Sequence, residues 1–291
     1  MTDDNSNRRL KVAYQGERGA FSEEAATKLV GPDMEGLPHR TFEEMFEAVS
    51  NGQADCAAAP IENSLAGSVH KNYDLLLEHD LTIIGEVNLK IIHNLIALPG
   101  VAFSDVRKVY SHPVALAQCE RFLRANPQIE AEAAHDTAGS VRAIIEQGRR
   151  DEAAIAGARA AEVYSAQIIA EGIEDNQKNF TRFLLLARPE RAASIKTAAS
   201  GAERKTSIVF RVANRPGALF RAMAAFALRD IDLSKIESRP IEGRPWEYSF
   251  YLDLAGDRAD PAVMRALANL EELAESVRVL GSYPSAGTFD F

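Results

Sequence analysis

The sequence predicts an α/β protein in two unequal parts: a larger portion built on parallel strands, then a small domain of mixed order. Three observations predict it. Before residue 189, a short apolar strand runs four times into a loop of small and hydroxylic residues and then into an amphipathic helix, the alternation that parallel sheets produce. The stretch PERAASIKTAASGAER, 189–204, is rich in Ala and Ser, has no sustained period and reads as a linker. Beyond it the rhythm changes to strand–helix–strand–strand–helix–strand.

The first unit joins a strand at 11–14 to the loop Gln15-Gly16-Glu17-Arg18-Gly19-Ala20-Phe21-Ser22. Thr41 and Glu44 then form a capping box ahead of Phe42, Met45, Phe46 and Val49, and Asn51-Gly52 stops that helix. The second unit pairs a strand at 55–61 with the loop 62–68 and a helix through about His79. Residues 81–98 are strand-like and mostly apolar, long enough to carry the chain into a second lobe. The third unit is a strand at 106–110, then Ser111-His112-Pro113 and a helix through about Arg124, with Pro113 in its first turn. The fourth is a strand at 129–134, then His135-Asp136-Thr137-Ala138-Gly139-Ser140 and a helix ending near Gly148. A buried-strand run at 181–187 can bring the chain back. Two crossings make a two-lobed α/β domain with a cleft between the lobes. After the linker come a strand at 206–213, a helix opened by Asn214, Pro216 and Gly217, strands at 233–241 and 246–254 around a turn at 242–245, a helix after Asp260-Pro261, and a strand at 277–283. This βαββαβ order is ferredoxin-like.

Composition limits the function classes. The chain has 291 residues, about two domains' worth at roughly 150 each. With 46% hydrophobic and 26% charged residues it has an ordinary core, which excludes disorder, collagen-like repeats and small disulfide scaffolds. No apolar run approaches the roughly 18–20 residues of a membrane span, and residues 1–9 lack a secretory h-region. The net charge of −9 lacks the basic footprint of nucleic-acid binding. Cys56 and Cys119 read as reduced core thiols, and a cytoplasmic location is expected.

Candidate chemistry gathers where strands run into helices, because free N–H groups and the positive helix end favour carboxylates and phosphates there. Hydroxylic residues in any one such loop are accounted for as N-caps, but four such loops point to a small anionic ligand held by neutral donors. In Asn179-Phe180-Thr181-Arg182-Phe183, strand alternation puts Thr181 and Phe183 on one side and Arg182 on the other. Thr181 can donate one hydrogen bond to a leaving oxygen, and Arg182 can clamp a carboxylate bidentately. An edge threonine and a surface arginine explain these residues equally well. His112 is a ligand contact or a cap, and Glu62 a general base or a helix-dipole partner. The six histidines and two cysteines show no metal-ligand spacing, Gly16 and Gly19 give only GxxG, and no GxSxG elbow is present.

The segments VAYQGERGAFSEEAA, PIENSLAGSV, SHPVALAQC and NFTRF resemble, in order, the catalytic domain of the prephenate dehydratase family. NRPGALFRAM, KIESRP and RPWEYSFYLDL resemble its C-terminal ACT regulatory domain. The resemblance runs from about Leu10 to Tyr283 and departs at Val114, where the family commonly has Gln. No chorismate mutase segment precedes the first motif, which implies the monofunctional type.

The resemblance implies a two-lobed catalytic domain of the periplasmic-binding-protein type II architecture over 8–188, with lobes at about 8–95 plus 176–188 and at 96–175. A linker at 189–204 and an ACT domain at 205–284 follow. It implies conversion of prephenate to phenylpyruvate, toward phenylalanine, with no cofactor and no metal. Thr181 would donate to the leaving hydroxyl, with Arg182 and Phe183 completing the motif. Glu62, Asn63, Ser64 and Asn179 would line one side of the cleft, Ser111, His112 and Thr137 the other. Feedback by phenylalanine would act through Asn214, Pro216, Gly217, Ala218 and Leu219 with Glu237, Ser238 and Arg239, between ACT domains of a homodimer or homotetramer. Arogenate dehydratase, on the same fold, is the alternative enzyme. A non-catalytic amino-acid sensor is the alternative of another class, which would not need Thr181.

Overall fold

The computed structural model describes residues 8–198 and 203–287. In chain order the first stretch holds β1 (Lys11–Gln15), α1 (Phe21–Val30), β2 (Glu35–His39), α2 (Phe42–Ser50), β3 (Cys56–Asn63), β4 (Gly67–Ser68), α3 (His70–Glu78) and β5 (Thr82–Lys90). There follow β6 (Asn94–Ala97), a 3-10 turn (Phe103–Asp105), β7 (Lys108–Ser111), α4 (Pro113–Ala117), α5 (Glu120–Ala125) and β8 (Glu130–Ala133). Next come α6 (Thr137–Gln147), β9 (Glu152–Ala156), α7 (Ala158–Val163), β10 (Gln167–Ala170), β11 (Phe180–Ala187) and α8 (Pro189–Ala192). The last stretch is β12 (Arg204–Arg211), α9 (Ala218–Ala227), β13 (Leu233–Ile241), β14 (Arg244–Ala255), α10 (Pro261–Leu273) and β15 (Ser276–Pro284).

The first two sheets repeat one plan. One runs β2-β1-β3-β11-β5, with β4 against β3; the other, from its far edge, runs β8-β7-β9-β6-β10. In each, the first strand of the lobe lies between the second and third, parallel to both. In each, the strand that enters from the other lobe, β11 or β6, slots in antiparallel to both its neighbours. The two visiting strands are the two crossings expected from 81–98 and 181–187, and the arrangement is that of the periplasmic-binding-protein type II class. At the crossing the segments hold one another: Ile91 N–H donates to Asn179 O (2.8 Å) and Ile173 N–H to His93 O (2.9 Å).

Local chemistry explains most elements. In α2, Glu44 N–H donates to Thr41 Oγ1 (3.2 Å) and Arg40 N–H to Glu44 Oε2 (2.9 Å), the reciprocal capping box. Asp136 caps α6, and Gly148 ends it in the left-handed region at φ 64°. The single helix expected after Pro113 is instead two, α4 and α5. The break is filled from the second crossing: Asp175 N–H donates to Gln118 O (2.7 Å), and Asp175 Oδ1 accepts from Arg121 N–H (2.9 Å), so the freed backbone groups are satisfied. Strands β2, β4, β9 and β10 have no sequence signature. β2 carries Gly36 and Pro38 and is tolerated because it is an edge strand, and β9 is an Ala-rich buried segment.

The third sheet, β13-β14-β12-β15, is antiparallel throughout and packs α9 and α10 on one face. Its other face lies on the first lobe, where Val209, Tyr251, Leu280 and Tyr283 share one core with Tyr73, Leu184 and Leu186. The approach is close enough that a Cβ on Gly281 would come within 2.1 Å of Ile83 O, so only glycine fits there. Tyr251 OH donates to Tyr73 O at 2.5 Å. Residues 199–202 of the expected linker lie outside the described residues, and its first residues form α8.

Candidate active site

Strand alternation decides what faces the cleft between the lobes. Thr181 of β11 pairs in register with Asn63 of β3, and Arg182 with Glu62. Thr181, Phe183 and Asn63 line a cleft of about 790 Å³; Arg182 and Glu62 point to the opposite side of the sheet, toward the third sheet.

Thr181 is nearly buried, at 9% exposure. Its Oγ1 accepts a hydrogen bond from Asn63 Nδ2 at 2.9 Å. Asn63 is held in turn, because its Oδ1 accepts from the backbone N–H groups of Leu65 (3.0 Å) and Ala66 (2.8 Å). An oxygen that accepts from Asn63 keeps its own hydrogen for another acceptor, so the Thr181 O–H is available as a donor into the cleft. Asn179 is fully buried; it accepts from Asn63 Nδ2 (2.8 Å) and donates to Gln118 Oε1 (3.0 Å).

Helix starts from both lobes line the cleft, those of α1 and α6 among them. α1 begins after Ala20 with no side-chain cap, and Phe21 and Ser22 line the cleft. α6 begins at Thr137, which also lines it. His112 lines it too and caps α4 by accepting from Val114 N–H (3.2 Å), as the cap reading expects. Val114, where the family pattern departs, is exposed at the cleft wall. Sequence reasoning missed Arg40, His93 and Gln118, all of which line the cleft. Arg40 follows the unmarked edge strand β2, so no period drew attention to it.

Arg182 requires a correction: it does not clamp a carboxylate in the cleft. Its Nε donates to Glu86 Oε2 (2.6 Å), Nη1 to Asp253 Oδ2 (2.5 Å) and Nη2 to Tyr283 OH (3.0 Å). Lys205 Nζ takes the other Glu86 oxygen at 2.8 Å, and Ser207 donates to Asp253. Burial alone would raise both carboxyl pKa values, but the Arg182 and Lys205 charges outweigh it and hold both below the ordinary range. Three further expectations are corrected by geometry. Glu62 pairs with Lys235 Nζ (2.9 Å) of the third sheet. Ser64 Oγ is spent on Lys178 O (3.0 Å) and Phe180 N–H (3.0 Å). Ser111 is fully buried and donates to Ile155 O (2.6 Å), behind the cleft wall.

In the third sheet, Gly217 sits at φ 75° ahead of α9, and Asn214 Nδ2 donates to Trp246 O (3.1 Å). Alternation along β13 divides the other three expected effector residues. Glu237 accepts from Ser68 Oγ (2.5 Å), and Arg239 forks onto Asp74 (2.7 and 3.0 Å), so both face the first lobe. Ser238 is exposed on the other side, the side of α9. The thiols of Cys56 and Cys119 are buried, which pushes both up to about 12. Among the described residues, no group of His, Cys, Asp and Glu could hold a metal ion, and no helix is long and apolar enough to cross a membrane.

Comparison with known proteins gives two family matches: prephenate dehydratase over residues 12–191 and ACT domain over residues 206–272. Arogenate dehydratase/prephenate dehydratase 2, chloroplastic, of Arabidopsis thaliana is 47% identical over 296 residues, 98% of this chain and 75% of its own. Arogenate dehydratase 2 of Petunia hybrida is 46% identical over 293 residues, 95% of this chain and 72% of its own. A prephenate dehydratase from Arthrobacter aurescens, solved in complex with L-Phe, superposes with a TM-score of 0.84 at 33% identity over 95% of this chain and 90% of its own. GqqA, described as a novel type of quorum quenching acylase, superposes equally well (0.84), at 34% identity over 94% of this chain and 98% of its own. The expected cytoplasmic location is overturned by relatives designated chloroplastic. The h-region is a mark of secretory signals, whereas plastid transit peptides have a different composition, so its absence from residues 1–9 does not bear on this location.

Proposed function

The chain belongs to the prephenate dehydratase family, with a C-terminal ACT domain, and from that premise we propose that the interlobe cleft carries out the decarboxylating dehydration at Thr181. The reaction breaks two bonds of the substrate. The electron pair of the bond between ring carbon C1 and its carboxylate moves into the ring as carbon dioxide leaves, and hydroxide departs from C4. Aromatisation supplies the driving force, so the protein has to orient the ring, hold two carboxylates and assist the hydroxide. A threonine hydroxyl is too weak an acid to give up its proton outright, and it acts here as an oriented hydrogen-bond donor to the C4 oxygen. The observation that carries this reading is the Asn63–Thr181 hydrogen bond, which leaves the Thr181 hydrogen free for the cleft. The starts of α1 and α6, with Arg40 at the mouth, supply the attraction for the two carboxylates. Phe183 and Phe21 offer ring faces.

Residues 8–188 form the catalytic portion in this reading, and 205–284 the regulatory domain. Phenylalanine is the effector, and Asn214, Pro216, Gly217, Ala218, Leu219 and Ser238 are its site. Glu237 and Arg239 couple that site to the first lobe through Ser68 and Asp74. Phe220 and Trp246 (each 77% exposed) and Ile236 (49%) are large apolar side chains left exposed on this domain, which suits assembly through ACT domains into a homodimer or homotetramer. By likeness to the plant relatives the compartment indicated is a plastid, and arogenate is the second substrate to be tried. Incubation with prephenate and with arogenate, reading phenylpyruvate absorbance in alkali and phenylalanine formation respectively, tests the function. Turnover of neither contradicts it.

A further inference from the structure

The side-chain amides between the two crossings have one consistent set of orientations, and they fix the state of a buried histidine. Asn63 Oδ1 accepts from two backbone N–H groups, so the atom it turns to Asn179 is Nδ2. Asn179 must answer with Oδ1, which leaves its Nδ2 to donate to Gln118 Oε1. Gln118 Oε1 lies 2.9 Å from His93 Nε2 and can only accept, so the proton of His93 is on Nε2. Burial holds the imidazole pKa below its ordinary value, so the ring is neutral, and its other nitrogen is a bare lone pair.

That nitrogen, Nδ1, is buried and has no partner. His93 is 2% exposed, packs edge-on against Phe21 and lines the cleft together with Thr181. A buried acceptor left unmatched is costly, so a donor that reaches it gains a hydrogen bond and relieves that cost. The cleft it lines holds donors, among them the Thr181 hydroxyl and the Arg40 guanidinium, beside the carboxylates of Glu43 and Asp136.

We propose that His93 Nδ1 is a substrate-recognition group that accepts a hydrogen bond from an O–H or N–H donor of the bound ring acid. The inference rests on the cleft being the dehydration site. The carboxylates and the keto group of prephenate only accept hydrogen bonds, so its C4 hydroxyl is the one donor it can offer. Arogenate has the same hydroxyl and an ammonium group besides.

Two variants separate the nitrogens. His93→Gln keeps a donor toward Gln118 but loses the acceptor at the Nδ1 position; His93→Asn keeps an acceptor near Nδ1 and loses the outer contact. The Gln variant is expected to raise KM by about 3- to 10-fold, the loss typical of one neutral hydrogen bond, with kcat nearly unchanged. The Asn variant is expected to raise KM less than the Gln variant does. A rise for both prephenate and arogenate assigns the hydroxyl as the donor, and a rise for arogenate alone assigns the ammonium. Unchanged KM for both substrates in the Gln variant overturns the proposal. ¹⁵N spectra of the full-length protein give a check that does not depend on turnover: Nε2 protonated and Nδ1 bare is required, and the reverse tautomer overturns it. Absence of turnover in wild type is the separate failure of the dehydratase reading.

Discussion

Replacing Arg182 by methionine separates two accounts of that side chain sharply. In the structure Arg182 is 13% exposed and sits between Glu86, at 1%, and Asp253, at 10%. Methionine fills a similar volume but removes the charge. Glu86 keeps Lys205 as a direct partner, whereas Asp253 keeps direct contact only with the neutral Ser207 hydroxyl and feels Lys205 from farther off. One carboxylate is therefore orphaned rather than two, and orphaning one buried charge costs about 3–5 kcal/mol. For a chain of this size that lowers Tm by roughly 5–8 °C. Differential scanning calorimetry reads the shift, and steady-state kinetics on the same sample reads KM. Arg182→Met should be clearly less stable with KM for prephenate little changed, and Asp253→Asn added to it should restore most of the loss by removing the orphaned charge. An unchanged Tm with KM raised tenfold or more would refute the reasoning and return Arg182 to the cleft as a carboxylate clamp.

Three further outcomes follow from the same geometry. Asn63→Leu removes the donor that orients the Thr181 hydroxyl, and kcat should drop by roughly 10- to 100-fold, with Asn63→Leu/Thr181→Val no slower than Thr181→Val alone; additive losses would show that the two side chains act independently. Stability should fall on acidification in two stages. The folded pKa values of His93 and His112 are lowered by burial, so below about 6.5 the unfolded chain takes up protons that the native one refuses. The folded pKa values of Glu86 and Asp253 are also lowered, so their contribution is complete above about 4 and is lost as pH falls further. Calorimetry from pH 8 to 3 checks this, and Arg182→Met/Asp253→Asn should show a weakened second stage. Phe220→Ser with Trp246→Ser should reduce the molar mass seen by light scattering, and an unchanged mass removes these two exposed side chains from the interface.

Much of this arrangement was legible locally. The capping box at Thr41 and Glu44, the left-handed Gly148 and the alternation that put Thr181 and Phe183 together follow from residue types and spacing. Alternation also put Arg182 on the other side of the strand. It could not say what lies there, because Asp253 and Tyr283 arrive from 71 and 101 residues away. The same limit misdirected Glu62: β3 runs on to Asn63, so Asn63 faces the cleft and Glu62 faces Lys235. Arg40 and His93 escaped for different reasons. One follows an edge strand whose Gly and Pro conceal it, and the other lies in a crossing segment where no helix or strand period applies. Gln118 stands where a helix was expected to continue, and the break that exposes it is made by Asp175, far along the chain.

The central claim is that an oriented threonine hydroxyl assists departure of the substrate's hydroxyl group. The most direct measurement is single-turnover conversion of prephenate by Thr181→Val beside Thr181→Ser, each with thermal unfolding recorded. The account predicts that both variants fold like wild type, that Val slows the chemical step by about 10²–10⁴-fold, and that Ser restores a large part of the rate. Near-normal turnover in Thr181→Val, with Thr181→Ser no better, would contradict it.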